Sequence, residues 1–203
     1  LQVEETLAPN TFGTIVHDSL EELYTPLVGI NLTVELLNGI KKKIPQIVSL
    51  NFEKTYKEGN ISYGKNYISF HVILKYIQTF IDAEISTLND HSIKIIALEQ
   101  SLSVPLQVNG LNFPIILKGK LDRVDEFDGI TRIIDYKTGK VERRNVEIMD
   151  WNILTEEYQF SKAFQLLCYA LMYFKTNPKE NQSIQAGIIS LKNFAEGTLL
   201  FAQ

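Results

Sequence analysis

The chain has 203 residues, 45% of them apolar and 22% charged, ordinary globular values that exclude long disorder, collagen-like repeats and an extended coiled coil. Twenty Lys and Arg against 24 Asp and Glu give a net charge of −4, so no global basic field draws in a polyanion and any nucleic-acid contact must be local. No run reaches the roughly 18–20 apolar residues of a membrane span, LQVEETLAPN lacks the parts of a secretory signal, and a single cysteine cannot close an internal disulfide. A reducing, cytoplasmic setting is expected.

In chain order, Phe12, Ile15, Val16, Leu20, Leu23, Tyr24 and Leu27 recur at three- and four-residue spacings, predicting a helix over 12–27 capped by Asn10 or Thr11. His17 falls at the edge of that stripe. A second helix is expected from Thr33 to the Lys41–Lys43 run, where cations suit the C-terminal dipole, and a third from Gln46 to Lys57, stopping at Gly59. The longest, Lys65 to Leu88, carries Tyr67, Phe70, Leu74, Ile77, Ile81, Ile85 and Leu88 on one side. From Ile93 the pattern becomes extended: IKIIALEQ and SLSVPLQV lead to Asn109-Gly110, a favoured hairpin dipeptide, and LNFPIILKGKLDRVDEF leads to a second at Asp128-Gly129. ITRIIDYK is the returning strand, Ser161 to Lys175 a helix capped by Ser161, and IQAGIISL a further strand. No repeat or Gly/Ser linker divides the chain, so residues 1–203 read as one domain, mainly helical over 1–90 and sheet-centred over 91–203. With no starting Met and an apolar TLLFAQ at its end, it is expected to be excised from a larger polypeptide.

The chemistry-bearing residues lie on the second hairpin. If Asp128-Gly129 is a two-residue type I′ turn, Phe127 pairs with Ile130 and Asp122 falls opposite Asp135. Carboxylates so placed would have Cβ atoms about 4.5–5.5 Å apart and repel unless a positive charge sits between them. A divalent cation is the natural one. Lys137 projects from the same face as Asp135, and Tyr136 from the opposite face. Two carboxylates and an ammonium on one surface suit phosphodiester hydrolysis: Mg²⁺ takes one or two carboxylates plus water and phosphate oxygens, and it acidifies an attacking water. The alternative for these three residues is a set of solvated surface charges.

GKLDRVDEFDG followed by IIDYKTGK resembles the RecB-type branch of the PD-(D/E)XK nucleases, whose pattern runs G-x-x-D-R-V-D, a turn, then a strand ending D-Y-K-T-G. TFGTIVHDSLEELY resembles that branch's N-terminal histidine-bearing helix, ALEQSL its acidic strand, and FQLLCYALMY its Q-x-x-x-Y helix. The likeness covers residues 11 to about 174 and is greatest to the nuclease domains of AddB-like, helicase-related bacterial proteins. It implies an α/β fold, with a small mixed sheet flanked by helices and a helical N-terminal part, and Mg²⁺- or Mn²⁺-dependent cleavage of DNA leaving 5′-phosphate and 3′-hydroxyl ends. Exonuclease action in DNA repair or recombination, beside a helicase subunit or a helicase region of the same polypeptide, is implied with it. Asp122 and Asp135 become metal ligands, with the Tyr136 carbonyl, His17 and Glu99. Lys137 becomes the catalytic lysine, and Gln165 with Tyr169 orients it or the substrate backbone. Some AddB-like members hold an iron–sulfur cluster with four cysteines; Cys168 alone cannot, and it reads as a small buried hydrophobe.

Arg143 and Arg144 follow the motif closely and are candidate DNA contacts, while Arg123 is open between packing and a phosphate contact. Asp125 and Arg132 face each other away from the site as an expected structural pair. Walker A, HExxH, GxSxG and GxGxxG patterns are absent, which removes ATPase, metalloprotease, esterase and dinucleotide readings. A catalytically idle nuclease fold that binds DNA or a partner subunit is the competing reading; a hydrolase or binding protein of another kind is suggested only by the acidic balance.

Overall fold

The computed structural model describes residues 7–56, 61, 63–178, 183–194 and 197–201. Five strands form one mixed sheet in sequential order: β1 (Ile93–Leu106), β2 (Ile115–Phe127), β3 (Ile130–Lys137), β4 (Ile184–Ser190) and β5 (Thr198–Leu200). All neighbours are antiparallel except β3 and β4, which run parallel because α5 (Ser161–Thr176) carries the chain across between them. The expected α/β class, a small mixed sheet flanked by helices, is the one observed.

Helices α1 (Pro9–Tyr24), α2 (Val34–Lys41), α3 (Ile44–Thr55) and α4 (Gly64–Thr87) cover one face of the sheet. Their inner stripes, including Ile15, Leu20, Val48, Phe52 and Ile77, form a continuous core with Ile95, Ile134, Tyr136 and Ile189 of the strands. α5 covers the other face, where Met172 and Tyr173 pack with Val104, Leu121, Val124 and Ile133. Adjacent Ile133 and Ile134 fall in opposite cores because strand side chains alternate.

Several local expectations change. α1 begins at Pro9, whose missing N–H costs nothing at N1, so Ala8 rather than Asn10 or Thr11 stands at the N-cap. Thr33 caps α2 as expected, its hydroxyl accepting from Leu36 N–H. α3 starts at Ile44, and its expected end at Lys57–Gly59 lies outside the described residues. On α4 the buried stripe is Ile73, Ile77, Phe80, Ile81 and Glu84, and Tyr67 is exposed. Phe160 rather than Ser161 is the N-cap of α5. Asn109-Gly110 does not close a two-residue hairpin: β1 continues to Leu106 and the connection runs over 107–114, with Gly110 at φ +88° inside it. β5 had no expected counterpart. Among the described residues, no helix is long and apolar enough to cross a membrane.

Candidate active site

The Asp128-Gly129 turn has φ of +50° and +82°, the double positive values of type I′, and sets Phe127 against Ile130. The ladder keeps that register through Arg123 and Ile134 and ends one pair short of Asp122 and Asp135. It ends there because Oδ2 of Asp122 accepts the backbone N–H of Tyr136 at 2.7 Å, replacing a main-chain partner. The two carboxylates are thus not a simple opposed pair: Asp122 turns toward α1, and Asp135 turns toward α5.

A second irregularity makes this turn. Between the pairs Leu98–Arg123 and Gln100–Leu121, Glu99 and Asp122 form no pair, and Glu99 sits at φ +47°. That left-handed conformation costs a non-glycine residue about 1–2 kcal/mol. Leu117 and Leu121 pack on the α5 side, but so does Val124, an odd step along β2. On β1, Leu98 packs on the bundle side, whereas Leu102 and Leu106 pack on the other. Both strands therefore change face at Glu99 and Asp122. The break presents these two side chains together at the edge where α1 delivers His17.

His17 Nδ1 lies 3.5 Å from Asp122 Oδ1 and 3.8 Å from Glu99 Oε1, and its Nε2 donates to the Tyr136 carbonyl at 3.1 Å. Burial alone would lower the imidazole's pKa, but the two carboxylates outweigh it and raise it to about 10. Lys120 forms an ion pair with the other oxygen of Glu99. Ligand atoms of His17, Glu99 and Asp122 all lie within 4.8 Å of one another. One nitrogen and two carboxylates gathered around charge-compensating imidazolium and ammonium groups fit a divalent cation, which would take over the compensation. The left-handed Glu99 backbone holds its side chain in this group, and such strain persists only where the surrounding structure over-determines it.

On the α5 side, Lys137 Nζ donates to Asp135 Oδ1 and to Gln165 Oε1, each at 3.1 Å, and Gln165 Nε2 donates to the Tyr169 hydroxyl at 2.7 Å. The four-residue step from Gln165 to Tyr169 places both on one helical face. Asp135 is 2% exposed, and burial raises its pKa to about 6; Lys137 opposes the rise and the charge of Asp122 adds to it. Its Oδ2 lies 2.8 Å from Nζ but outside hydrogen-bonding geometry, leaving a buried carboxylate oxygen without a hydrogen-bonded partner. Burial, with the charge of Asp135 contributing, raises the Tyr169 hydroxyl's pKa to about 12.

The hairpin, α1 and α5 thus bring together His17, Glu99, Asp122, Asp135, Tyr136, Lys137, Gln165 and Tyr169. Arg123 belongs elsewhere. It is 1% exposed on the bundle face, paired with Glu84 at 2.7 Å and Asp125 at 2.7 Å, and donates to the Tyr136 hydroxyl at 3.3 Å, so it cannot reach a phosphate. Tyr24 donates to the same Glu84, and Arg132 makes two hydrogen bonds to Asp125 at 2.8 and 2.9 Å. Arg143 and Arg144 stand on a 3₁₀ turn at 143–145, exposed and paired with Glu147 and Glu142. Cys168 is only half-buried.

The family model of the PD-(D/E)XK nuclease superfamily matches residues 1–198. The chain belongs to the PD-(D/E)XK nuclease superfamily. Membership carries metal-dependent phosphodiester hydrolysis, and among the described residues His17, Glu99 and Asp122 form a group whose spacing could hold a metal ion. No curated protein matches the chain. Lys120 was not a candidate from sequence; its position two residues before Asp122, hence near it on β2, was the available signal.

Proposed function

We propose that the protein is a deoxyribonuclease domain that uses Mg²⁺ or Mn²⁺ held by His17, Glu99 and Asp122, with Asp135 and the Tyr136 carbonyl beside them. The observation that carries the reading is the continuous chain Asp135–Lys137–Gln165–Tyr169 set against that ligand group. When bound, the cation supplies positive charge that polarises the phosphate and makes an attacking water more acidic. Asp122 serves twice, holding Tyr136 N–H through one oxygen and offering the other to the ligand group. His17 must release its proton for the nitrogen to coordinate. Lys137, fixed between a carboxylate and an amide, holds an ammonium where charge develops on the phosphate. Gln165 and Tyr169 keep that ammonium from swinging away.

An idle fold has no need for a lysine clamped from both sides beside a buried carboxylate, so the hydrolytic reading is preferred to a purely binding one. On the motif likeness to AddB-like domains, the reading extends to exonuclease action in DNA repair or recombination, in the cytoplasm and beside a helicase. The test is cleavage of linear and circular, single- and double-stranded DNA with Mg²⁺, Mn²⁺ or EDTA. Cleavage is expected with metal only, and Lys137→Ala should lower kcat by at least about 100-fold with the fold retained. Wild type and Lys137→Ala equally inert on every substrate would overturn the reading.

A further inference from the structure

Beyond the site, β1 and β2 continue together as a two-stranded arm, paired from Gln100–Leu121 to Leu106–Ile115. One side of the arm is packed: Leu102, Val104, Leu106, Leu117 and Leu121 meet the α5 core, and a Cβ on Gly119 would fall 2.5 Å from Met172. The alternate residues face outward, and the pairs they make are Ser101 with Lys120 and Ser103 with Lys118. All four are exposed. Each pair sets a short hydroxyl beside a long ammonium, so the surface is smooth along β1 and positive along β2. Farther out the pairing continues as Pro105 with Ile116, apolar and exposed.

This ribbon runs into the catalytic region. Lys120 and Glu99 line a cleft of about 350 Å³ with Asn10, Gly13, Thr14, His17 and Asp18 of α1, so the lysine faces two carboxylates there. Among the described residues no carboxylate forms an ion pair with Lys118, and Lys120 has Glu99. In a chain of net charge −4, two lysines and two serines in register on a bare sheet face are a local exception. Their spacing along β2 is ~6.7 Å, two strand residues.

We propose that this outward face is the track for one strand of the nucleic acid, its phosphates meeting Lys118 and Lys120 in succession on the way to the cleft, with Ser101 and Ser103 donating to the same backbone. The proposal rests on the hydrolase reading above for its direction. Charge complementarity and continuity with the cleft select a nucleic-acid strand over a protein segment, whose apolar contacts would lie at Pro105, Ile116 and the arm's tip (Val108, Leu111, Phe113, Ile115) rather than beside the lysines. The ribbon is two strands wide and fits a single strand.

The test measures fluorescence anisotropy of a labelled single-stranded oligothymidylate on the Lys137→Ala protein with Mn²⁺ over a range of salt. Lys118→Ala and Lys120→Ala should each make the slope of log K against log salt shallower by about 0.7, and the double variant by about 1.4. Lys118→Arg should restore the slope. Lys118 carries the weight of the test, because Lys120 also touches Glu99. Unchanged slopes in Lys118→Ala and the double variant would overturn the track, as would binding confined to duplex and indifferent to both lysines. Cleavage by the wild-type protein is assayed in parallel. Cleavage with unchanged slopes removes the track alone, whereas lysine-dependent binding without cleavage by wild type removes the hydrolase reading alone.

Discussion

His17 is a residue whose charge state is strongly set by its surroundings. Its folded pKa of about 10 lies above the ordinary histidine value of about 6.5, because Asp122 and Glu99 outweigh the effect of burial. The stabilisation this gives the metal-free protein is complete below about pH 6.5 and is lost as pH rises through 10. Urea unfolding in EDTA should show wild-type stability falling across that window, with a flatter profile for His17→Gln; parallel profiles would contradict the assignment. The sequence placed His17 only at the edge of an apolar stripe, where a structural histidine is equally at home. The motif resemblance implied a ligand role for it beside Asp122 and Glu99, and folding brings its Nδ1 to 3.5 Å and 3.8 Å from them.

At the scale of elements, the hairpin separates two sets of charges onto two faces, and each has its own energetic signature. Arg123 neutralises Glu84 and Asp125 in a site closed to water; desolvation alone would lower its pKa, yet those acids hold it well above the usual arginine range. Removing it leaves the buried Glu84 without a cation and Asp125 with Arg132 alone. Arg123→Met should therefore cost about 3–5 kcal/mol by denaturant unfolding, whereas Arg144→Ala on the surface should stay within about 0.5 kcal/mol. Gly119 tests how α5 is seated. Its added Cβ would lie 2.5 Å from Met172 Cε, a terminal methyl that can swing aside, and 3.1 Å from the Tyr169 ring, so Gly119→Ala should cost about 1 kcal/mol and also disturb the Tyr169–Gln165–Lys137 chain. Met172→Ala in that background should recover part of the lost kcat if the clash acts through the helix. Recovery of neither stability nor kcat would place the effect in the strand instead. The type I′ turn was legible because two adjacent residues with positive φ have few sequence solutions, and the Asp125–Arg132 pair followed from it. The face change at Glu99 and Asp122 was not, because a simple two-residue alternation predicts one surface and gives no sign of where a pleat breaks.

For the whole molecule, the net charge of −4 means that metal and substrate meet a negatively charged body, to which Glu99, Asp122 and Asp135 contribute at the site. Binding of a divalent cation to the folded state alone should raise the melting temperature with metal concentration, equivalent to about 2.7 kcal/mol at one hundred times Kd. Asp122→Asn retains an oxygen to accept Tyr136 N–H but loses charge, so it should fold and show little of this gain. A full metal response in that variant would remove Asp122 from the ligand group. Residue order alone was enough for the type I′ hairpin, most of the helices and the α/β class, and it named the candidate hydrolytic side chains. Those follow from local periodicity, turn chemistry and a motif confined to short stretches. Folding was needed to bury Arg123, to turn Asp122 toward His17 and away from Asp135, and to leave Lys118 and Lys120 on an open ribbon. Which face of a strand is covered depends on where separate helices dock and where the pleat is interrupted, and both are set by packing between segments far apart in the chain.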